Sequence, residues 1–294
     1  LYLTTLAGMK LHPLIPPEFG FVVLIGVAAF AVVLALLQDS LALAAVAALG
    51  GFAAPVLAST GSANHLFFFA YLTVINLGIV AIAWFKAWRP LNVIGFVCSI
   101  FLAGAWGDKY YQPALFNIAE PFLILLFVLY VLVAFLFARR TLADAESDES
   151  VGPALTQVNY VDASLVFGVP MSTFGLQYML VRSFENGAAF SALAFGLVYI
   201  LLGFALFRNT GKRYALLSET MVALAVIFGS LAIPLGLEGE WTSAAWAVEA
   251  AGVYWVGVRQ NRLQGRLFAL LLMFGAAFYF ALDVRSGSGI QSLD

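Results

Sequence analysis

One acidic residue lies near the middle of a segment that could otherwise cross a membrane. Glu249 is eight residues from Trp241 and nine from Val258, so on a helix it would lie about 12 Å from either end of this segment. A charge at that depth costs roughly 2.5–3.5 kcal/mol on insertion scales. The carboxyl group is therefore expected to face protein or water, with Trp246 one helical turn away on the same face. The pair is a candidate ligand or proton site, and a structural hydrogen bond to a buried hydroxyl or amide explains it equally well.

Two amide side chains also lie inside apolar segments. Gln177 follows Gly168 and Pro170 in the run VFGVPMSTFGLQY. A proline inside a membrane helix frees a backbone carbonyl, so we expect the helix to be kinked or unwound there. Broken helices line sites in transporters, although simple kinks are also common. Asn76 lies in the middle of another segment, where an amide usually bonds to a neighbouring helix. The predicted site residues, lining one polar cavity, are Glu249, Trp246, Gln177 and Asn76.

Other carboxylates could serve an enzyme. Glu120, Glu238 and Glu240 fall near the ends of apolar segments, on the side predicted to face outward. An enzyme acting from there on a lipid-linked or glycan substrate needs two carboxylates or a metal that converge on a groove. No such convergence is visible in the sequence, and a carboxylate at the start of the fifth segment, Glu120–Pro121, is explained by a helix cap. The catalytic residues of such an enzyme are therefore unknown.

The two histidines do not predict a metal site. His12 and His65 both fall on the predicted outer side, but they lack the close spacing of metal ligands and a cysteine partner. We interpret them as loop residues at the membrane surface. No motif for a nucleotide or another cofactor is present, so no metal and no cofactor is predicted.

The amino-acid composition indicates that these residues lie on membrane-spanning helices. Of 294 residues, 63% are hydrophobic and 10% are charged, whereas about 25% are charged in a soluble domain. The net charge of -2 and the lack of a basic arm argue against a nucleic-acid partner. The predicted fold is an all-α integral membrane protein, a bundle of about ten transmembrane helices. The segments are Phe21–Leu37, Leu41–Leu57, Leu66–Phe85, Leu91–Gly107, Pro121–Ala138, Val161–Val181, Ala188–Phe207, Tyr214–Gly236, Trp241–Val258 and Leu263–Leu282.

The only plausible internal boundary is an acidic stretch, Arg139–Tyr160, which we interpret as a solvated loop. It separates an N-terminal part (1–138), with the end of an earlier helix and five spans, from a C-terminal part (161–294) with five spans. Lys and Arg divide ten to four between alternate sides, so the positive-inside rule predicts a cytoplasmic loop 139–160 in a multi-pass membrane protein. The cytoplasmic ten are Lys86, Arg89, Arg139, Arg140, Arg208, Lys212, Arg213, Arg259, Arg262 and Arg266.

Small residues repeat on one face of Leu41–Ala58. A small face lets membrane helices approach closely, so ordinary packing explains it. The alternative is a re-entrant or broken segment at Gly50–Gly51 and Pro55.

Several stretches resemble a known family. They are GGFAAPVLASTGSANH (Gly50–His65), WFKAWRPLN (Trp84–Asn92), WGDKYY, EPFLILLF, and LEGEWTSAAWAVEAAGVYWVGVRQ (Leu237–Gln260). They are similar to the bacterial predicted-membrane-protein family known as domain of unknown function 2339. The resemblance implies a long polytopic inner-membrane protein with many more helices, and it implies no catalytic residues. Together with a first residue other than Met, it leads us to expect a fragment of a longer chain.

Two functional hypotheses remain. The first is a transport or cell-envelope scaffold role with a polar cavity around Glu249, and the second is the membrane-embedded enzyme described above. The expected partners are membrane lipids and the remaining helices of a longer parent chain. The oligomeric state and the substrate are not predicted.

Overall fold

Ten long α-helices form the chain in the computed structural model, which describes residues 4–5, 17–58, 65–147, 161–237, 239–259 and 263–286. The part of the chain described contains no β-strand, and two short 3₁₀ turns, Pro113–Leu115 and Gly211–Tyr214, precede α5 and α8. The helices are α1 (Pro17–Leu37), α2 (Leu41–Ala58), α3 (His65–Phe85), α4 (Arg89–Tyr110), α5 (Phe116–Ser147), α6 (Ala163–Val181), α7 (Gly187–Thr210), α8 (Ala215–Gly236), α9 (Gly239–Arg259) and α10 (Leu263–Ser286).

Each of the ten apolar segments is helical, and the chain is an all-α membrane protein. Seven helices, α3 to α8 and α10, are long and apolar enough to cross a membrane. The apolar parts of α1 and α2 are shorter. Helix α9 is not among the seven, and its described side chains include the polar groups of Thr242, Ser243 and Glu249. That α9 crosses the membrane therefore stays a prediction.

The chain forms two compact units, Leu1–Leu180 and Val181–Asp294. This division differs from the boundary predicted at 139–160, because α6 belongs with the N-terminal unit. Asp162, just before α6, bonds to Arg89, and the carbonyl of Leu180 accepts a hydrogen bond of 2.6 Å from Tyr111 Oη. These contacts join both ends of α6 to α4 and to the turn that follows it.

The acidic stretch is helical in its first nine residues. Helix α5 continues from the apolar segment through residues 139–147, so the predicted loop is wrong there. In this extension Leu142 is 5% exposed, and Arg140 Nε lies 3.1 Å from Asp144 Oδ1 one turn later, a spacing that supports a helix. Residues 148–160, with Asp148 and Glu149, lie outside the described part of the chain.

Helix α2 passes through Pro55 without a break, so the broken-segment alternative is wrong, whereas a re-entrant course of this segment is not tested. Pro55 has no N–H to donate to the carbonyl of Gly51, four residues earlier. Tyr71 Oη on α3 donates to that carbonyl instead, at 2.9 Å, and Tyr71 is 2% exposed. Ala44, Ala48 and Ala54 of the small face are buried, as packing predicts.

Helix α6 is also continuous through Pro170, so it is not unwound at Gly168–Pro170, and the kink expected as the other possibility stays a prediction. Thr173 Oγ1 donates to the carbonyl of Val169 at 2.6 Å. Gly168 serves packing, because a Cβ atom added there would lie 3.1 Å from Cε1 of Phe96 on α4. The glycine therefore lets an aromatic ring approach the backbone rather than breaking the helix.

Candidate functional site

The carboxyl group of Glu249 meets a hydroxyl group from the preceding helix. Ser230 on α8 donates from Oγ to Glu249 Oε1, and Ser230 is 5% exposed. Trp246, one turn before Glu249 on α9, donates from Nε1 to the backbone carbonyl of the same serine at 3.0 Å. Glu249 and Trp246, paired from the sequence, thus converge on one residue.

Pro234 explains why the carbonyl of Ser230 can accept this bond. A helical carbonyl normally accepts the N–H four residues later, and Pro234 has none. Helix α8 nevertheless stays helical to Gly236, and the indole of Trp246 replaces the missing donor. The tryptophan therefore has a structural task in addition to its place beside Glu249.

A glycine on α10 makes room for the indole ring. A Cβ atom added to Gly275 would lie 3.2 Å from Cζ3 of Trp246, closer than an ordinary van der Waals contact. The ring of Tyr279, one turn further along α10, packs edge-on against Trp246 with centroids 6.1 Å apart. Helices α8 and α10 thus hold the indole from two sides.

The second oxygen of Glu249 is different. Glu249 Oε2 is buried, yet it has no hydrogen-bond partner among the described residues. A buried carboxyl oxygen without a partner costs free energy. Ser230 Oγ has one proton, and it also lies 2.9 Å from the carbonyl of Val226. If Glu249 carries a proton, it can donate to Ser230 Oγ while the serine donates to Val226.

Asn76 belongs to a buried polar cluster in the N-terminal unit. Its Oδ1 accepts hydrogen bonds from Tyr130 Oη on α5 and from Ser99 Oγ on α4, the latter at 2.9 Å. Its Nδ2 donates to the carbonyl of Leu72 at 2.9 Å, and Asn76, Ser99 and Tyr130 are each at most 1% exposed. Both acceptor positions of the amide oxygen are filled, so the cluster ties three helices together.

Gln177 binds Glu120 in the same unit. Gln177 Nε2 on α6 donates to Glu120 Oε1 on α5 at 2.9 Å, while Glu120 Oε2 is buried without a partner among the described residues. The interpretation of Glu120 as a helix cap is wrong, because α5 begins at Phe116 and Glu120 is its fifth residue. The 3₁₀ turn at Pro113–Leu115 leads directly into the helix and moves its start upstream.

The carboxylates of the enzyme hypothesis are only partly described. Glu238 lies outside the described residues, as does the side chain of Glu240, so Glu120 alone can be placed. His12 also lies outside them. His65 opens α3 and accepts a hydrogen bond of 3.2 Å at Nδ1 from Trp106 Nε1. Within the described part of the chain, no group of three His, Cys, Asp or Glu side chains is placed to hold a metal ion.

Sequence reasoning missed two residues of importance. Ser230 stands four residues before Pro234, and this spacing signals a carbonyl that needs a donor from elsewhere. The second residue is Asp162, which is 2% exposed. Its Oδ1 accepts from the backbone N–H of Ser164 at 3.0 Å, which caps α6, and from Arg89 Nε at 3.1 Å.

The helices and their apolar lengths define a multi-pass, all-α membrane protein. The chain belongs to the predicted membrane protein family DUF2339, whose family model matches residues 1–288. The match confirms the family resemblance seen in the sequence motifs. The comparison with curated proteins found no match, and the comparison with solved structures found none either.

Proposed function

We propose that this protein is a multi-pass transport protein of the bacterial inner membrane in which Glu249 binds a proton or a small cation. The observation that carries the proposal is the unequal environment of the two carboxyl oxygens. Ser230 holds one oxygen, and the other is buried and has no partner among the described residues. A proton or a cation on that oxygen would remove the cost of burying it.

The surroundings of Glu249 support a positioned group rather than a stray charge. Ser230 bonds to the carboxyl group, and Trp246 bonds to the backbone of Ser230. Trp246 is in turn packed against Gly275 and Tyr279. A group that binds and releases an ion benefits from neighbours that fix its position in this way. An ionisable side chain within a membrane segment costs free energy to bury, so such a side chain is a candidate for a functional role.

The continuity of α6 limits the proposal. A broken helix at Pro170 was one of the two arguments for a transporter, and the continuous helix removes that argument. The proposal therefore depends on Glu249. Asn76 and Gln177 have hydrogen-bond partners that suit structural roles, so we assign neither of them to the ion path.

Transport can be tested in liposomes with the Glu249→Gln variant. The whole chain is reconstituted, a potassium diffusion potential is imposed with valinomycin, and proton entry is followed with trapped pyranine. Sodium uptake is followed in parallel with the radioactive ion. The amide can still bond to Ser230 but cannot carry a proton or a negative charge, so we expect Glu249→Gln to lower ion entry to the rate of empty liposomes.

Glu185→Gln is the matched control, because Glu185 is exposed in the turn between α6 and α7. This control should transport like the unaltered chain. Equal transport by the Glu249→Gln and unaltered proteins would refute the role of Glu249. If the unaltered protein moves neither ion faster than empty liposomes, the transport proposal fails and the scaffold role is favoured.

A further inference from the structure

Four cations are described at one end of the N-terminal unit, around the connection from α3 to α4. We call this group the basic end; its members are Lys86, Arg89, Arg139 and Arg140. Three of them have a carboxylate within ion-pair distance. These pairs are Lys86 with Asp39 at 2.7 Å, Arg89 with Asp162 at 3.1 Å and Arg140 with Asp144 at 3.1 Å.

Arg139 is the exception. Its guanidinium carbon lies 4.4 Å from the centroid of the Trp84 ring, and among the described residues it has no carboxylate partner. An aromatic face attracts a cation but does not cancel its charge. The ring of Trp84 therefore holds the guanidinium group of Arg139 in place without neutralising it.

The position of this pair suits a membrane–water interface. Trp84 and Phe85 are the last two residues of α3, and their side chains are 49% and 55% exposed. Arg139 follows the apolar stretch of α5 that ends at Ala138, which is fully buried. Tryptophan and arginine at the ends of membrane helices lie at the level of the lipid headgroups.

We propose that Arg139, held on Trp84, binds the phosphate of an anionic phospholipid headgroup. Guanidinium and phosphate match in geometry, since two parallel N–H groups can bond to two phosphate oxygens. The exposed faces of Trp84 and Phe85 place acyl chains beside that phosphate, which favours a lipid over a soluble ion. Because the neighbouring cations are paired with carboxylates, the site is a single arginine rather than a diffuse basic surface.

Native mass spectrometry of the purified whole chain in a neutral detergent can test this. Phosphatidylglycerol is titrated against the unaltered protein and the Arg139→Gln variant, and phosphatidylcholine with the same acyl chains is titrated in parallel. One basic side chain near a membrane surface corresponds to about a fivefold change in affinity. We therefore expect Arg139→Gln to weaken binding of the first phosphatidylglycerol about fivefold, and the zwitterionic lipid to bind weakly to both proteins.

Two further variants distinguish a positioned site from general charge. Arg140→Gln removes the adjacent arginine, which is paired with Asp144, and should leave lipid affinity close to that of the unaltered protein. Trp84→Phe keeps an aromatic ring with a weaker attraction for the cation, so it should weaken binding about twofold. Trp84→Phe also provides a test if Arg139→Gln does not fold.

The proposal is overturned if Arg139→Gln and Arg140→Gln lose the same affinity for phosphatidylglycerol. It is also overturned if Arg139→Gln or Trp84→Phe binds this lipid as tightly as the unaltered protein. It is also overturned if phosphatidylcholine binds as tightly as phosphatidylglycerol. If glycerol phosphate at the same concentration displaces the lipid, the ligand is a soluble phosphate and the lipid assignment is wrong.

Discussion

The indole N–H of Trp246 donates to the carbonyl oxygen of Ser230 at 3.0 Å. That carbonyl has no helical donor, because Pro234 stands four residues later in α8. The same relation recurs in the N-terminal unit, where Tyr71 donates to the carbonyl of Gly51, four residues before Pro55. In both cases a side chain from another helix replaces the hydrogen bond that a proline removes, and the helix continues.

The first prediction concerns this replacement. Trp246→Phe keeps most of the ring but removes the N–H, so it should lower the free energy of unfolding by about 1 kcal/mol. Pro234→Ala restores a backbone N–H that can bond to Ser230 within α8. In the Pro234→Ala background, Trp246→Phe should therefore cost about 1 kcal/mol less than in the unaltered chain, because only the loss of packing remains. Unfolding of the four proteins in mixed micelles, followed by circular dichroism, measures the coupling.

One outcome would contradict this prediction. If Trp246→Phe costs the same free energy in both backgrounds, the indole N–H does not substitute for the missing helical donor. Packing of the ring against Gly275 and Tyr279 would then be its only described contribution.

The second prediction concerns a glycine beside the Asn76 cluster. A Cβ atom added to Gly95 would lie 3.0 Å from Tyr130 Oη and 3.1 Å from a side-chain carbon of Ile79. Tyr130 is 1% exposed and bonded to Asn76, so it cannot move away freely. Overpacking of this kind costs about 1–3 kcal/mol, and we expect Gly95→Ala to lower the free energy of unfolding by that amount.

Gly104→Ala on the same helix is the control for Gly95→Ala. The nearest atom to its added Cβ would be Leu176 Cδ2 at 3.6 Å, an ordinary contact. Because alanine favours a helix over glycine, this variant should be neutral or stabilising by up to about 1 kcal/mol. Thermal unfolding compares the two, and equal effects would show that close approach to Tyr130 is not what requires Gly95.

The third prediction compares two carboxylates that both pair with a cation. Asp162 is 2% exposed and caps α6, so Asp162→Ala should cost about 1–2 kcal/mol in unfolding free energy. Asp162→Asn keeps an oxygen for the cap and should cost less. The side chain of Asp39 is 66% exposed in its pair with Lys86, so Asp39→Asn, which tolerates the positive φ of 50° at this residue, should cost at most about 0.5 kcal/mol.

Denaturant unfolding with all three Asp variants gives the comparison. An Asp39→Asn loss as large as that of Asp162→Ala would mean that the ion pair matters more than burial and the cap. If Asp162→Asn costs as much as Asp162→Ala, the charge of Asp162 outweighs its role as a cap.

The polar residues show how far reasoning from the sequence extends. Glu249 and Trp246 were paired because they lie three residues apart on one helix, and the structure places both against Ser230. Helical spacing is a local property, so a sequence pattern can predict it. The partner was not predictable, since Ser230 lies on another helix and only packing brings it to Glu249.

The prolines show the opposite case. Pro55 and Pro170 favoured broken helices, because the sequence reveals that an N–H is missing but not whether another group replaces its bond. Helix α2 continues because Tyr71 supplies the donor from α3. The burial of Asp162 could not be predicted for a similar reason, since it depends on α4 packing against the start of α6.

What the sequence determined by itself was the membrane class, the ten helices and the approximate position of each. These follow from the length and apolarity of continuous segments, which do not depend on how the helices are arranged. Tertiary structure alone decided which polar groups meet: Ser230 with Glu249, Gln177 with Glu120, and Arg139 with Trp84. The physical reason is that a buried polar group can bond to any suitable neighbour, and an arginine can pack on any suitable aromatic ring. Only the packing of helices that are distant in sequence selects the partner.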